Sequence, residues 1–594
     1  MFQSFTAATS PEQGPPRLKA LRDQMRTEGL DGYIVPRADA HQSEYVAPCD
    51  ERLAWLTGFT GSAGFCVVTE DVAGVFADGR YTLQVKAQVA DAFTPVDWPK
   101  TKPGPWLSER LKDGARVGFD PWLHTADEVE QLAKGLGTGV ELVGTDNLVD
   151  RIWTDRPAPP KAPAFEHPIE FAGESSGDKR RRMAEVVKSA GETAVVITLP
   201  DSICWLLNIR GNDIARNPVV QAFAILHDDS RVSLFAEPSK FQALGPDPAI
   251  KIAPSSEFEA ALENLRGPVR VDKKTAPLAV SKTLEKAGIA VSWGDDPCIL
   301  AKAKKNAAEL AGMREAHLRD GSAMVRFLAW LDREAPAGNL TEIDAVKALE
   351  GYRRATNSLR EISFETISGA GPNAAIVHYR VTEKTNRTIR PGELYLVDSG
   401  GQYPDGTTDI TRTVVVGQPN TKHRECFTRV LQGMVAISTV RFPRGLAGRD
   451  LDALARAPLW RAGLDYDHGT GHGVGAYLSV HEGPQRISRL SDVPLEEGMI
   501  LSNEPGYYRE GAFGIRIENL IAVQKANEIG DVRDQLSFET LTFVPIDSRL
   551  IDVDMLARWE RDWIDAYHLD VREKIGPRVD GADREWLQAA TEPL

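Results

Sequence analysis

The pattern of hydrophobic and polar residues changes near residue 305, and this change divides the chain into two parts. Before that point, basic helical segments are followed by short apolar runs, as in "RLKALRDQMRTEGL" and "GYIVP", or "DKRRRMAEVVKSAG" and "AVVITLP". Each pair continues with a Trp-Leu motif, "AWLTGF" or "CWLLNI". Helical periodicity alternating with apolar strands predicts α/β structure. The repeated order predicts two α/β domains of related plan, the first with an extra loop, "HQSEYVAPCDER".

The remainder of the chain has a different pattern. Two amphipathic helices are predicted from about Asn306 onward, and the second begins with Thr341 and Asp344 at capping-box spacing. Runs of alternating strand character follow, including "GELYLVDSG", "DITRTVVVG", "GMILSNEPGYY", "AYLSVHEG" and "GIRIENLIAV". We therefore expect an α+β domain with a largely antiparallel sheet. Aromatic residues at every fourth position predict a carboxyl-terminal helix packed on a core: Trp559, Trp563 and Tyr567.

A proline-rich stretch at 155–168, "DRPAPPKAPAFEHP", marks the first domain boundary, because prolines cannot continue a helix or a central strand. A chain of 594 residues is also too long for one hydrophobic core. We predict domains at 1–156, 157–304 and 305–594, the third with a carboxyl-terminal helical extension.

Charge and cysteine content narrow the class of protein. The chain has 85 acidic and 70 basic residues, a net charge of -15, which argues against nucleic-acid or anionic-membrane binding. The basic run 179–182 is interpreted as the solvated face of a helix. Five widely spread cysteines predict no disulfide framework. The amino terminus lacks a signal-peptide pattern, and no apolar run reaches membrane-spanning length. A soluble cytoplasmic protein is expected.

The stretch "HGTGHGVG", residues 468–475, places two histidines four residues apart among four glycines. In a helix this spacing would resemble the zinc motif HExxH, but each glycine destabilises a helix by up to about 1 kcal/mol, and the glutamate is absent. Glycines do permit close backbone approach in an extended or bent segment. At most one of the histidines is therefore expected to bind a metal directly, while the other shapes the pocket.

Acidic residues occur where apolar sequence predicts burial. Asp398 ends the strand "LYLVD" and Asp409 begins "DITRTVVV", so a hairpin could bring both together. Glu504 stands in "SNEPG", and alternation in "GIRIEN" places Arg516 and Glu518 on one face. Unpaired buried carboxylates would cost several kcal/mol, a penalty that divalent cations remove.

Four carboxylates and one imidazole exceed what a single ion requires. Their charge suits two divalent cations that share bridging carboxylates and a water. Hard oxygen donors with one imidazole favour manganese, with cobalt or zinc as alternatives. Two such metals lower the pKa of a bridging water and polarise a carbonyl, which is the chemistry of hydrolysis.

These residues, set in "YLVDSGGQYPDGTTDITRT", "HGTGHGVG", "VHEGP", "NEPGYY" and "GIRIEN", resemble the pita-bread metallopeptidases. Nearly the whole chain is similar to the three-domain cytosolic type of aminopeptidase P, the Xaa-Pro aminopeptidases. The further segments that carry the resemblance are "WLTGFTGSAG", "ADGRYTLQ", "WTDRP", "WLLNIRGND" and "DWIDAYHLDVRE". The resemblance implies two creatinase-like amino-terminal domains, a pita-bread catalytic domain and a homodimer.

The same resemblance implies a role for each site residue. Asp398 and Asp409 would bind one metal and His472 the other, with Asp409 and Glu518 bridging. Glu504 would bind metal and carry a proton from the attacking water to the leaving proline nitrogen. The resemblance also implies roles for residues around these ligands. His378 and His481 would hold the substrate and stabilise the oxyanion, and His468 would line the proline subsite. Arg80 would bind substrate, either within its own chain or across a dimer, and Arg516 would orient an acidic ligand.

The implied reaction removes the first residue from peptides whose second residue is proline. Prolidase, which cleaves only Xaa-Pro dipeptides, is the nearest alternative, although the length of the chain and "HGTGHG" favour the aminopeptidase. Creatinase dispenses with metal, and five intact ligand positions argue against it. A non-catalytic binding module with the pita-bread fold is the alternative from another class of protein. Modules of that kind have lost metal ligands, whereas this chain keeps all five.

Overall fold

A computed structural model describes residues 1–6, 9–530 and 532–594 of the chain. These residues form two compact units. The amino-terminal unit comprises residues 9–169 and 174–299, and the carboxyl-terminal unit comprises residues 1–6, 170–173 and 300–594. The short helices Ile169–Ala172 and Pro297–Ala303 lie where the chain passes from one unit to the other.

The amino-terminal unit contains two six-stranded mixed sheets with the same strand order. In each sheet, a central strand pairs antiparallel with one neighbour and parallel with the other. From edge to edge, the strands of the first sheet are Thr94–Asp97, Ala73–Ala77, Phe65–Thr69, Gly32–Pro36, Ala115–Phe119 and Val140–Gly144. Those of the second are Ile250–Ala253, Val232–Phe235, Phe223–His227, Ala194–Ile197, Val269–Val271 and Val291–Trp293. The predicted pair of related α/β domains is confirmed.

Helices cover both sheets and supply the apolar residues that fill the two cores. Helix Gly14–Glu28, for example, buries Leu18, Leu21 and Met25 against the first sheet. The remaining α-helices of this unit are Arg52–Thr57, Thr82–Gln88, Pro103–Ser108, Ala126–Leu136, Leu148–Ile152, Ser176–Ser189, Pro200–Leu207, Phe258–Glu263 and Leu278–Lys286. A two-stranded pair, Phe165–Glu166 with Ile209–Arg210, completes the unit.

The basic run 179–182 was expected to be solvated, and this prediction is wrong for half of it. Lys179 and Arg180 in helix Ser176–Ser189 are buried. The Lys179 ammonium donates to the carbonyl of Trp205 and to Asn208 Oδ1, and it lies over the Trp205 ring. The Arg180 guanidinium pairs with Asp247. Long cationic side chains can cover apolar surface when their charged ends find partners, which composition alone does not reveal.

The carboxyl-terminal unit is built on antiparallel sheets, as predicted. Its six-stranded sheet has the order Phe442–Pro443, Gln535–Thr540, Asn519–Lys525, Ile500–Asn503, Gly471–Gly473 and Glu482–Ile487. Smaller sheets are formed by Ile367–Ala370, Leu394–Ser399 and Ile410–Val415, by Glu361–Ile362, Gly401–Tyr403 and Gly406–Thr407, and by Gly506–Arg509 with Phe513–Arg516. The helices are Ala307–Glu334, Glu342–Arg354, Thr421–Thr439, Gly448–Trp460, Arg558–Ile575 and Gly581–Ala590.

Local signals fix the two predicted helices at the start of this unit. Asn306 caps helix Ala307–Glu334 in a capping box with Glu309, and the predicted Thr341 and Asp344 capping box begins helix Glu342–Arg354. The aromatic stripe lies on helix Arg558–Ile575. Its members differ, however: Tyr567 is buried and Trp563 stacks on it, whereas Trp559 is half exposed, because it stands in the first turn beyond the edge of the core.

Candidate metal centre

Two neighbouring strands place Asp398 and Asp409 together. Asp398 lies near the end of strand Leu394–Ser399 and is paired with Thr411 of the antiparallel strand Ile410–Val415. Asp409 directly precedes that strand, so the hairpin returns it to the level of Asp398. Both side chains are buried, with relative exposures of 8% and 3%. The expected meeting of the two carboxylates is observed.

Arg516 and Glu518 reach the same place from the opposite direction. Ile515 and Ile517 are buried in the core, so alternation projects their neighbours away from it. The expected continuous strand is interrupted at residues 517–518, where the chain leaves one sheet, Phe513–Arg516, and enters another, Asn519–Lys525. The interruption does not alter the predicted face, and Glu518 is only 1% exposed.

Two hydrogen bonds orient these acids. The Arg516 guanidinium donates to Asp398 Oδ2 at 2.6 Å. The Thr411 hydroxyl donates to Glu518 Oε2 at 2.7 Å. In each carboxylate one oxygen is therefore held by a hydrogen bond within the protein, and this fixes the direction of the other oxygen.

His472 lies in the short strand Gly471–Gly473, and the residues around it form bends and irregular backbone, which confirms that "HGTGHGVG" is extended or bent rather than helical. The flanking glycines are required by close backbone approach: a Cβ on Gly471 would lie 1.9 Å from the Ser502 carbonyl oxygen, and one on Gly473 would lie 2.2 Å from that of Glu482. These neighbours are strands of the same sheet. The glycines therefore let a narrow central strand carry a histidine into the site.

The His472 ring points between two carboxylates. Its Nδ1 lies 2.9 Å from the Gly473 carbonyl oxygen, a contact that puts the ring proton on Nδ1. Its Nε2 lies 3.5 Å from Asp409 Oδ2 and 3.6 Å from Glu504 Oε1. The lone pair of Nε2 is thus directed to the side on which the acids gather.

Potential ligand atoms converge in three overlapping groups, each with all its atoms within 4.8 Å of one another. The groups are Asp398, Asp409 and Glu518; His472, Glu504 and Glu518; and Asp409, His472 and His481. Within the described residues, Asp398 Oδ1 and Glu518 Oε1 are buried without a hydrogen-bond partner. Because buried carboxylate oxygens are normally satisfied, this donor set fits divalent cations with a preference for oxygen and imidazole ligands.

The acids strongly perturb one another. Burial, reinforced by Asp398, holds the pKa of Asp409 well above its usual range. Burial together with Asp409, Glu504 and Asp398 does the same to the pKa of Glu518. Burial raises the pKa of Glu504 to about 7, while His472 and Arg516 oppose the rise. In the absence of cations, the site therefore resists full ionisation.

His481 joins the cluster, with its ring centroid 4.3 Å from that of His472 in an edge-to-face arrangement. It stands immediately before strand Glu482–Ile487. Residues 476–481, expected to have strand character, instead form a bend in which Tyr477 has a φ of 51°, and this local prediction is wrong. The bend turns the chain so that His481 can face His472.

His378 is half-buried and follows the short helical turn Gly371–Ala375. Its neighbours Ala374 and Tyr379 pack against Leu396, two residues before Asp398, which places this segment beside a ligand-bearing strand. His378 is not a member of the three ligand groups formed by the described residues. Arg80 lies in the amino-terminal unit, where its guanidinium pairs with Asp78 at 2.7 Å.

Tyr508 is a site residue that the sequence pattern did not single out. Its hydroxyl accepts a hydrogen bond from Arg516 at 2.6 Å and lies 2.9 Å from Nε2 of His468. It therefore connects the predicted subsite histidine to the arginine that holds Asp398. Gly506 pairs with Arg516 across the hairpin, so Tyr508, two residues along, shares its face. The sequence feature that could have identified it is the second tyrosine of "NEPGYY", which lies two residues after Gly506 and so on the same face of the strand.

Comparison with known proteins covers nearly the whole chain. The sequence models of the metallopeptidase family M24 and of its C-terminal region match residues 311–525 and 534–594. Those of the creatinase/prolidase N-terminal domain match residues 17–152 and 155–309.

Individual relatives match along most of their length. Aminopeptidase P2 of Arabidopsis thaliana is 40% identical over 99% of this chain and 91% of its own. Aminopeptidase P1 of Lotus japonicus is 36% identical over 97% of this chain and 99% of its own. The crystal structure of an X-prolyl aminopeptidase from Caenorhabditis elegans, described as a cytosolic enzyme with a di-nuclear active site, superposes with a TM-score of 0.92, at 33% identity and with 98% and 99% of the two chains covered.

Proposed function

Because the chain belongs to the metallopeptidase family M24, in the branch with creatinase/prolidase amino-terminal domains, we propose that it is a metal-dependent Xaa-Pro aminopeptidase. It releases the first residue of peptides whose second residue is proline. The observation that carries this proposal is the cluster of buried acids, in which Asp398 and Glu518 each keep an oxygen without a hydrogen-bond partner among the described residues. The carboxyl-terminal unit is the pita-bread catalytic domain of the family.

The ligand groups support a division of labour between two metal positions. Asp398 and Asp409 would bind one cation, and His472 with Glu504 would bind the other. Glu518 belongs to a group on each side and Asp409 to two groups, as bridging carboxylates should. Two divalent cations held there would activate a water for attack and polarise the scissile carbonyl. The oxygen-rich donor set favours manganese, with cobalt or zinc as alternatives.

Glu504 is proposed as the group that moves the proton. The Glu504 carboxylate would accept a proton from the attacking water and release it to the leaving proline nitrogen, the role that the family resemblance implies. The Ser502 hydroxyl donates to Glu504 Oε1 at 3.2 Å and orients the carboxylate. The tertiary amide nitrogen of proline needs this proton to depart as an amine.

The remaining histidines and Arg80 have proposed roles in substrate binding. His481, edge-to-face with His472, and His378, beside the strand of Asp398, would hold the peptide and stabilise the developing oxyanion. His468, hydrogen-bonded to Tyr508, would line the proline subsite. For Arg80 the resemblance is the support, and substrate binding would compete with its present ion pair to Asp78.

Proline specificity has a physical basis in the substrate. An Xaa-Pro bond lacks the amide N–H, and the ring fixes φ near -65°, so a general peptidase that holds its substrate by that N–H binds it poorly. A subsite that accepts the ring gives a dedicated enzyme its selectivity.

Location and assembly are proposed from the relatives. The helices of the described residues include none with the length and apolar character needed to cross a bilayer. All five cysteines are free and buried, as suits a reducing compartment. With the cytosolic Caenorhabditis elegans enzyme as precedent, we assign the chain to the cytoplasm, and family resemblance favours a homodimer. Light scattering that gives the mass of one chain would reject the dimer.

One assay separates the proposed function from its alternatives. The purified protein is treated with chelator, and single metals are then added back during hydrolysis of an Xaa-Pro-Xaa tripeptide, an Xaa-Pro dipeptide and an Xaa-Ala-Xaa tripeptide. Metal-restored cleavage of the first peptide alone is expected. Preference for the dipeptide would identify a prolidase, and no bound metal with no restored activity would identify a binding module.

A further inference from the structure

A fully buried ion pair lies behind the two ligand aspartates. Asp320 on helix Ala307–Glu334 and Arg353 at the end of helix Glu342–Arg354 form a bidentate pair, with Nε to Oδ1 at 2.7 Å and the second nitrogen to Oδ2 at 3.0 Å. Both side chains are at most 1% exposed. They are outside the three ligand groups, and the proposed reaction makes no use of them.

The pair is bonded to both strand ends that carry the ligands. The Arg353 guanidinium donates to the carbonyl of Ser399, the residue after Asp398, at 3.2 Å. The Thr408 hydroxyl, one residue before Asp409, donates to Asp320 Oδ2 at 3.0 Å. Each ligand aspartate is thus one residue from a hydrogen bond to the same ion pair.

The hairpin between the two aspartates is closed by the same network. The Tyr403 hydroxyl donates to Asp320 Oδ1 at 2.6 Å, and the Gly401 amide donates to the Thr408 hydroxyl at 2.9 Å. Asp320 accepts four hydrogen bonds in total, so the buried carboxylate is satisfied. A saturated buried network of this kind has one geometry, because a shifted strand would leave charged groups unpaired.

We propose that Asp320 and Arg353 are positioning residues that set the spacing of Asp398 and Asp409 for cation binding. This inference rests on the proposed function, since it takes the two aspartates as metal ligands. The pair joins two helices to both ligand-bearing strand ends, so the carboxylates are held in place before a cation arrives. Groups that support ligands in this way typically change metal affinity by about 10- to 100-fold when removed.

Thr408→Val tests the link with little disturbance, because it removes the hydroxyl and leaves the ion pair in place. Thr428→Val is the matched control: Thr428 is also fully buried, and its hydroxyl accepts one bond from the Asp552 amide, so the change removes a buried hydroxyl whose hydrogen bond does not involve the ion pair or a proposed ligand. Thr408→Ser keeps the hydroxyl and serves as the conservative variant. Manganese affinity of each full-length variant is measured by competition with a chromophoric chelator, and the melting temperature of the chelated protein is measured in parallel.

We expect manganese affinity to fall by about 10-fold or more in Thr408→Val, and to stay within about threefold of the wild type in Thr408→Ser and Thr428→Val. The two valine variants should show similar losses of melting temperature without metal. Asp320→Asn should lower metal affinity at least as much as Thr408→Val. Wild-type affinity in Thr408→Val, or equal loss in the Thr428→Val control, would overturn the inference. Failure of the wild type itself to bind manganese, cobalt or zinc would instead reject the proposed function.

Discussion

At the scale of residues, the site is defined by charges that the protein itself leaves unbalanced. Arg516 is the cation that directly contacts a ligand acid, through Asp398, while burial and mutual repulsion raise the pKa values of Asp409 and Glu518. Such an arrangement destabilises the metal-free fold at neutral pH and stabilises bound cations. Removing one charge should therefore have opposite effects on function and on stability.

Glu518→Gln is the clearest test of these opposite effects on activity and stability. The amide oxygen can still accept the Thr411 hydrogen bond, but the negative charge is lost. We expect activity to fall by more than about 100-fold, beyond the effect typical of residues that merely support a ligand. The melting temperature of the chelated protein at pH 8 should rise. Asp409→Asn should behave alike, and near-normal turnover in either variant would refute the bridging roles.

Tyr508→Phe removes only the hydroxyl that joins His468 to Arg516. The loss leaves a buried guanidinium without one acceptor, a penalty of about 1–3 kcal/mol. We expect kcat/KM on an Xaa-Pro-Xaa peptide to fall by about 10- to 100-fold. Tyr507→Phe, at the preceding position, serves as the control, because alternation along strand Gly506–Arg509 points Tyr507 to the opposite face from Tyr508. Equal kinetics for the two variants would show that the hydroxyl has no role.

The family resemblance supplied the roles of His378, His481 and Arg80. The sequence pattern itself predicted the ligand acids, one metal-binding histidine in "HGTGHGVG" and the face of Arg516, because each lies against apolar sequence or glycine. It did not predict Tyr508 or the Asp320–Arg353 pair. Asp320 lies in an amphipathic helix and Arg353 at a helix end, where charged residues are usually solvated, and their pairing depends on tertiary contacts 33 residues apart.

At the scale of elements, patterning and capping set the helices and strands, and tertiary packing sets their ends. The capping box at Thr341 and the start of the long helix at Asn306 could be predicted from neighbouring residues in the sequence. The break between strands Phe513–Arg516 and Asn519–Lys525 could not be predicted from local sequence. Strand character continues through residues 517–518, and the strand is interrupted only because the chain passes from one sheet to another. The bend at 476–481 likewise depends on Tyr477 adopting a positive φ.

Asn306→Ala tests the contribution of a cap to the long helix of the catalytic unit. The side chain accepts hydrogen bonds from the Ala308 and Glu309 amides, and their loss should lower the free energy of unfolding by about 1 kcal/mol. The expected fall in melting temperature is about 2–4 °C. Asn306→Ser keeps a cap acceptor and, like Asn306→Ala, loses the hydrogen bond from Asn306 to the Ala172 carbonyl, so the difference between the two variants reports the cap. A larger loss in Asn306→Ser than in Asn306→Ala would contradict the capping role.

At the scale of the whole molecule, the repeated strand order of the amino-terminal unit agrees with the repeated sequence pattern. The domain limits at 1–156, 157–304 and 305–594 remain predictions, and the two-unit division groups the first two domains together. The residues of the candidate metal centre all lie in the carboxyl-terminal unit.

Metal should stabilise the chain more at high pH than at low pH. The folded, metal-free pKa values of Asp409 and Glu518 lie above their unfolded values, so the folded state binds extra protons and loses stability as pH rises through those raised values. Cations compete with these protons. At a fixed manganese concentration, we expect the gain in melting temperature on adding manganese to be larger at pH 8 than at pH 6, because Kd falls as the ligands lose their protons. A gain independent of pH would contradict the linkage.

The most direct test is a crystal structure of the full-length protein grown with manganese, with anomalous data collected to locate the ions. Two anomalous peaks are expected among the side chains of Asp398, Asp409, His472, Glu504 and Glu518, with Asp409 and Glu518 contacting both. An absence of peaks there, or ligand side chains turned away from one another, would contradict the account that paired cations make this buried cluster of acids tolerable.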